Sequence, residues 1–124
     1  VFENVALALE VTGEQSPAIR KRTHRTLKLV GLAEKEKAYP LQLSGGEQQR
    51  VAIARAIVKD PLILLADEPT GNLDSELTKD IMILFRSIHL KGTTVVIATH
   101  SRELLEDTAQ RTVFLHNGRL VDEK

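Results

Sequence analysis

The sequence predicts an α/β fold in which a helical part precedes a mostly parallel sheet with flanking helices and a carboxyl-terminal hairpin. Three observations lead to this prediction. Helix-spaced apolar residues fill the first half of the chain, two short apolar runs bounded by turn residues follow, and Asn117-Gly118 separates two strand-like segments. We expect the helical part to cover 1–58 and the sheet part to cover 59–124.

Three helices are predicted in the first part. The first opens at Val1 and ends at Thr12-Gly13, and the second is capped by Ser16, carries Pro17 in its first turn and ends at Gly31. The second helix is also strongly basic. We interpret its cations as a solvated face, with a binding patch as the alternative: Arg20, Lys21, Arg22, Arg25 and Lys28.

The third helix begins near Gly46 or Glu47, ends near Lys59 and is apolar on much of its surface, which predicts burial. The wholly apolar run 62–66 and the run 94–98 then predict two buried parallel strands. The remaining predicted elements are a helix over 77–88 closed by Gly92, a short helix over 101–109 capped by Ser101, and hairpin strands at 112–115 and 119–121.

Composition excludes several classes of protein. The chain has 17 basic and 17 acidic residues, so it carries no electrostatic footprint for nucleic acid. It has no cysteine, which excludes disulfides and thiolate metal sites, and no apolar run long enough to span a bilayer. We therefore expect no nucleic-acid partner and no direct membrane insertion, so that any membrane association comes through another protein.

Two carboxylates stand where the first predicted strand ends. Asp67 and Glu68 directly follow its apolar residues, and ligands of open α/β sheets bind at this edge. Asp67 is a candidate ligand of Mg²⁺, which prefers oxygen, and Glu68 a candidate for polarising a water that attacks a phosphate. The alternative is that both carboxylates merely cap the next turn.

Two further segments carry candidate chemistry. Ser44-Gly45-Gly46 precedes a predicted helix, so its amides could cradle an anion, although a glycine-rich loop with an ordinary cap at Ser44 explains it equally. His100 follows the second strand and should therefore emerge beside the two acids, where it could donate to a terminal phosphate. Asn72-Leu73-Asp74 forms a polar loop after the acids.

These segments together resemble the nucleotide-binding domain of ABC transporters. The run 43–50 is similar to the family's signature sequence, 63–68 to its Walker B strand, Asn72-Leu73-Asp74 to its D-loop and His100 to its switch histidine. The resemblance implies an incomplete P-loop NTPase fold that binds and hydrolyses ATP with Mg²⁺ in a head-to-tail pair with a second ABC ATPase domain. It implies nucleotide contacts for Leu43, Ser44, Gly45, Gly46, Glu47, Gln48, Asn72, Leu73 and Asp74, a metal ligand at Asp67, and catalytic roles for Glu68 and His100.

A narrower resemblance is to the bacterial branch that contains FtsE, LolD and the ATPase part of MacB. It rests on the opening residues 1–7, on Tyr39-Pro40 with the signature, and on the run 65–74. Residues 1–58 look most like the FtsE type, which implies a cell-division ATPase at the inner face of the plasma membrane, acting with an integral permease-type subunit resembling FtsX. Lipoprotein release of the LolD type and efflux of the MacB type stay open.

The chain contains no Gly-x-x-x-x-Gly-Lys-Ser/Thr, the loop that holds the β- and γ-phosphates. We expect truncation just after the family's glutamine loop, a chain without ATPase activity of its own, and marginal stability in isolation. Two alternatives remain. One is an ABC ATPase of the DNA-repair or chromosome-maintenance type, which the absence of long heptads and of a basic surface disfavours. The other is a non-catalytic module that only donates a signature surface.

Overall fold

The computed structural model describes residues 1–101, 104 and 110–123. The helices within them are α1 (Phe2–Glu10), α2 (Ser16–Leu29), α3 (Gly45–Ile57) and α4 (Ser75–Leu90). The strands are β1 (Ile63–Asp67), β2 (Thr94–Ala98), β3 (Val113–His116) and β4 (Arg119–Glu123). Two 3₁₀ turns, Ala33–Lys35 and Pro40–Gln42, connect α2 to α3. The short helix predicted over 101–109 falls outside the described residues beyond its first position.

Helices α1, α2 and α3 pack on one another through the apolar stripes that their sequences predict. The side chains buried between them include Val5, Leu9, Leu27 and Val30. The same hydrophobic cluster continues through Ile53, Ile57 and Leu64 to Ile81, Leu84, Phe85 and Ile88. One hydrophobic core therefore includes residues on both sides of position 58, the predicted boundary between the helical part and the sheet part. None of the described helices is both long and apolar enough to cross a membrane.

The amino-terminal cap of α2 differs from the prediction. Ser16 is the first helical residue, and the residue at the cap position is Gln15, whose backbone is extended. The carbonyl oxygen of Gln15 accepts hydrogen bonds from the amides of Ala18 and Ile19, so the helix begins one residue earlier than predicted. The Ser16 hydroxyl makes no capping bond, and Pro17 lies in the first turn as expected.

The basic side of α2 divides into two sets. Arg20, Lys21 and Lys28 are exposed, in agreement with a solvated face. The guanidinium groups of Arg22 and Arg25 instead form ion pairs with the carboxylate of Asp60, at 3.1 and 2.8 Å. Asp60 lies in the turn between α3 and β1 and has a positive φ of 50°. The turn that leads into the sheet is therefore tied to α2.

Strands β1 and β2 form a parallel pair, with Ile63 opposite Thr94 and Asp67 opposite Ala98. Both strands were predicted to be buried, and this holds on one face of the pair only. Helix α4 packs against β2 on one face of the strand pair, and Leu64 is buried on that face. Leu65, on the other face, is 74% exposed. No described element covers that second face, so the apolar run that suggested two-sided burial is buried on one side only.

Strands β3 and β4 form the predicted hairpin, a separate antiparallel sheet. Its turn residues Asn117 and Gly118 have φ values of 49° and 73°, the left-handed conformation that this dipeptide adopts at low cost. A parallel pair, flanking helices and a terminal hairpin confirm the predicted α/β class.

Candidate functional site

The two predicted acids and the histidine meet at the carboxyl edge of the parallel pair. β1 ends at Asp67, and the amide of Glu68 donates to the carbonyl oxygen of Ala98, the last residue of β2, at 2.9 Å. The chain then turns at Glu68, whose φ is 44°. Because both strands run in the same direction, Glu68 and His100 leave the sheet side by side.

The carboxylate of Glu68 is held by three donors. Its Oε1 accepts from the backbone amide of His100 at 2.9 Å and lies 2.5 Å from Nδ1 of the same residue. Its Oε2 accepts from the hydroxyl of Thr99 at 3.2 Å. Sequence reasoning missed Thr99; the available signal was a hydroxyl residue between a strand end and a candidate histidine. Both carboxylate oxygens are therefore oriented by the segment that follows β2.

These contacts favour the ionised form of the Glu68 carboxyl. The hydrogen bond from the His100 side chain holds the pKa of the Glu68 carboxyl below its ordinary value of 4.5, and the His100 amide and Thr99 hydroxyl act in the same direction. An ionised carboxylate only accepts protons, so the neighbouring Nδ1 carries the hydrogen in this contact. Glu68 is thus held in the form that can accept a proton, and its lower pKa makes it a weaker base than an unperturbed glutamate.

The pKa shift of Glu68 predicts a pH dependence of stability. Because the folded-state pKa lies below 4.5, the contact stabilises the fold fully above 4.5 and is lost as the pH falls through the lower value. In urea unfolding at pH 6 and pH 3.5, we expect Glu68→Gln to lose less stability on acidification than the parent chain. Equal losses in the two proteins would contradict the role of this carboxylate.

Asp67 is exposed, and its carboxylate forms no hydrogen bond or ion pair with any described residue. The described residues contain no group of three His, Cys, Asp or Glu side chains that could hold a metal. Mg²⁺ commonly binds proteins through one or two carboxylates, with water and substrate phosphates completing its shell. A single free carboxylate therefore fits a magnesium ion shared with a nucleotide and does not fit an all-protein cage.

The signature segment forms the start of α3, which begins at Gly45, one residue earlier than predicted, and ends at Ile57 instead of near Lys59. Ser44 and Glu47 form a capping box. The Ser44 hydroxyl accepts from the Glu47 amide at 3.3 Å, and the Glu47 carboxylate accepts from the Ser44 amide at 2.9 Å. That amide lowers the pKa of Glu47. The ordinary cap at Ser44 is therefore present, and the first-turn amides of Gly45 and Gly46 have no intrahelical acceptor.

The capping bond can be tested by removing the hydroxyl. Ser44→Ala is expected to lower the free energy of unfolding by about 1 kcal/mol, since the Glu47 amide loses its acceptor. Urea denaturation followed by circular dichroism measures this change. Ser75→Ala, at an exposed first-turn position of α4, serves as the control and should be close to neutral. Equal effects of the two substitutions would count against the cap.

The signature segment packs against the residues that follow the acids. A Cβ on Gly46 would lie 3.0 Å from Cδ2 of Leu77, and one on Gly45 would lie 3.9 Å from Cδ2 of Leu73. A side chain at position 46 would require Leu77 to shift by a few tenths of an ångström, whereas one at position 45 would make an ordinary contact with Leu73. Leu43 is buried in the core, and the Gln48 amide donates to the carbonyl of Leu43 at 3.2 Å.

In the predicted D-loop, Asn72 is exposed and Leu73 packs on the core. The Asp74 carboxylate caps α4 by accepting from the Leu77 amide at 2.9 Å, a structural role that its sequence position did not reveal. The structure thus brings the predicted residues into two groups, one at the strand ends and one at the signature. No hydrogen bond or ion pair joins these groups among the described residues.

Comparison with known proteins gives consistent results. A family model described as ABC transporter matches residues 1–71. The chain is 54% identical over 121 residues to the cell division ATP-binding protein FtsE of Mycobacterium tuberculosis, covering 98% of this chain and 53% of that protein. It is 50% identical, with the same coverage, to FtsE of Streptococcus pneumoniae. It is 48% identical over 120 residues to FtsE of Escherichia coli, covering 97% of this chain and 54% of that protein.

The chain spans about half the length of the curated relatives it matches. The family model covers more than half of this chain and includes both the signature segment and the two strand-end acids. The chain therefore belongs to the ABC transporter family.

Proposed function

We propose that this chain carries the signature segment and the hydrolytic carboxylate of an ABC-type ATPase that serves as an ATP-binding subunit in cell division. One observation carries the proposal. Thr99 and His100 orient the carboxylate of Glu68 at the carboxyl edge of a parallel strand pair, next to the free carboxylate of Asp67. A fixed base in this position can take a proton from a water that attacks a phosphate.

Each strand-end residue has one part in this mechanism. Glu68 accepts the proton of the attacking water and orients it. Asp67 holds Mg²⁺ beside the nucleotide, and magnesium when bound neutralises charge that develops on the phosphate oxygens. Asp67 suits this part because no described residue competes for its carboxylate.

His100 is proposed to contact the terminal phosphate, which requires a ring nitrogen that carries a hydrogen and faces the phosphate. In the contact with Glu68 its Nδ1 carries the hydrogen, so Nε2 of a neutral ring is only an acceptor. The ring can donate to a phosphate in two ways: as an imidazolium through Nε2, or after leaving Glu68. Its side chain is 88% exposed, which leaves room for that rotation.

The signature group is proposed to serve the ATP of a second ABC ATPase domain in a head-to-tail pair. The first-turn amides of α3 are donors suited to phosphate oxygens, and Gly45, which is exposed, has no side chain to cover them, whereas Gly46 is buried. We assign the contact surface to Leu43, Ser44, Gly45, Gly46, Glu47, Gln48 and the loop residues Asn72, Leu73 and Asp74.

We further propose the division into 1–58 and 59–124, and a location at the inner face of the plasma membrane through an integral permease-type partner resembling FtsX. The relatives named above support the cell-division assignment over LolD-like and MacB-like functions, since each of them carries the name FtsE. This partner is tested with a chimera in which the chain replaces the matched region of E. coli FtsE. The chimera should co-purify with the cognate permease-type protein and not with an unrelated permease.

The ATPase proposal is tested with the same FtsE chimera. We expect the chimera to hydrolyse ATP in the presence of Mg²⁺, because it would combine a phosphate-binding loop with Asp67, Glu68 and His100. A folded chimera that binds ATP but releases no phosphate would contradict the proposed function.

The chain by itself is proposed to be inactive, since no phosphate-binding loop occurs in its 124 residues. The purified chain should therefore show no phosphate release above a buffer control at any ATP concentration up to the millimolar range. Turnover that disappears in Glu68→Gln would overturn this prediction.

A further inference from the structure

Thr99 connects the end of β2 to the carboxylate of Glu68. Its hydroxyl donates to Oε2 of Glu68 at 3.2 Å and accepts from the backbone amide of Ser101 at 3.1 Å. An ionised carboxylate can only accept, so the hydroxyl donates its hydrogen to Glu68 and keeps a lone pair for the Ser101 amide. The Ser101 amide thus adds a backbone contact that holds the hydroxyl oxygen in place.

The other two donors both reach Oε1 of Glu68. The backbone amide of His100 is held by the chain, whereas the His100 ring is 88% exposed and free to turn away. Thr99 is half-buried and β-branched, so its χ1 angle is restricted. Of the side chains that contact Glu68, Thr99 is therefore the one suited to hold the carboxylate when His100 leaves it.

We propose that Thr99 is a positioning residue that fixes the plane of the Glu68 carboxylate. With Oε2 held by Thr99 and one bond to Oε1 supplied by the His100 amide, the carboxylate keeps its orientation after the imidazole departs. The remaining lone pair of Oε1 then becomes available to a water. This inference rests on the proposed function for its catalytic meaning, but the positioning itself is a property of the chain.

The first measurement uses the chain alone and needs no activity. The amide hydrogen of His100 is bound to Glu68, so its exchange rate reports whether the carboxylate is held. We expect Thr99→Val to raise this rate about tenfold, approaching the rate in Glu68→Ala, and Thr99→Ser to keep it close to that of the parent. The Ser101 amide loses its own acceptor in Thr99→Val and is not informative.

A matched control lies at the other end of the same strand. The hydroxyl of Thr93 donates to the carbonyl of Pro61 at 3.1 Å, far along β2 from Glu68. Thr93→Val removes an equivalent hydroxyl with the same change of shape. It should leave His100 exchange unchanged, so a comparable rise in both valine variants would mean general loosening of β2 and would overturn the proposal.

The second measurement uses the FtsE chimera. Thr99→Val is expected to lower kcat about tenfold with little change in the KM for ATP, Thr99→Ser to recover most of the loss, and Thr93→Val to leave both constants unchanged. Unchanged kcat in Thr99→Val would overturn the catalytic part of the inference. If the unmodified chimera is inactive, the proposed function fails, and His100 exchange in the chain still decides whether Thr99 holds Glu68.

Discussion

Glu68→Gln is expected to lower ATP hydrolysis by the FtsE chimera by about 100- to 10,000-fold, the range that a general base contributes. The amide keeps the size of the side chain but cannot take a proton from the attacking water. Phosphate release at saturating ATP measures the loss. Binding of ATP should persist, because Glu68 accepts hydrogen bonds from the protein and belongs to the hydrolytic step.

The same substitution at a glutamate outside the proposed site supplies the control. Glu76 lies in the first turn of α4 and is exposed. Glu76→Gln should retain turnover within about twofold, since surface substitutions change little. If both glutamine variants lose activity equally, the effect comes from charge or folding, and Glu68 is not the base.

Leu27→Ala is expected to destabilise the chain by about 2–5 kcal/mol, the largest stability effect that the structure predicts. Leu27 is fully buried where α2 meets α1 and α3, so truncation leaves a cavity lined by apolar side chains. Urea unfolding followed by circular dichroism measures the change. If the parent chain has a stability near the lower end for domains, about 5 kcal/mol, the variant would retain about 0–3 kcal/mol.

The same substitution at an exposed site isolates burial as the cause. Leu41 is 99% exposed in the 3₁₀ turn before the signature segment. Leu41→Ala should change the unfolding free energy by less than about 0.5 kcal/mol. A similar loss at both positions would contradict the assignment of Leu27 to the core.

The features that the sequence predicted correctly depend on neighbouring residues or on repeating spacing. Asn117-Gly118 predicted the hairpin because the positive φ of its turn is a local property of those two residues. The parallel pairing of β1 and β2 followed from two short apolar runs separated by a helix. The meeting of Glu68 with His100 followed in turn, since parallel strands end at one edge.

The features that were missed depend on contacts between distant residues. The bond of Thr99 to Glu68 exists only once β1 and β2 lie side by side, so the position of Thr99 between a strand end and a candidate histidine was the one available signal. Asp74 is a different case, because its bond to the amide of Leu77 is local, and an Asp directly before a predicted helix is the usual signal of such a cap. The burial of β1 was overestimated because an apolar run does not reveal whether a second layer covers it.

The uncovered face of β1 and β2 has a consequence for handling the protein. Ile63, Leu65 and Val96 present adjoining apolar side chains to water, a surface that favours self-association as concentration rises. The sedimentation coefficient of the chain should therefore increase with its concentration. Self-association should be stronger in sulfate salts, which favour apolar contact. Leu65→Lys would place a charge on this face without removing buried area, so solubility can be improved at a position that contributes little to the fold.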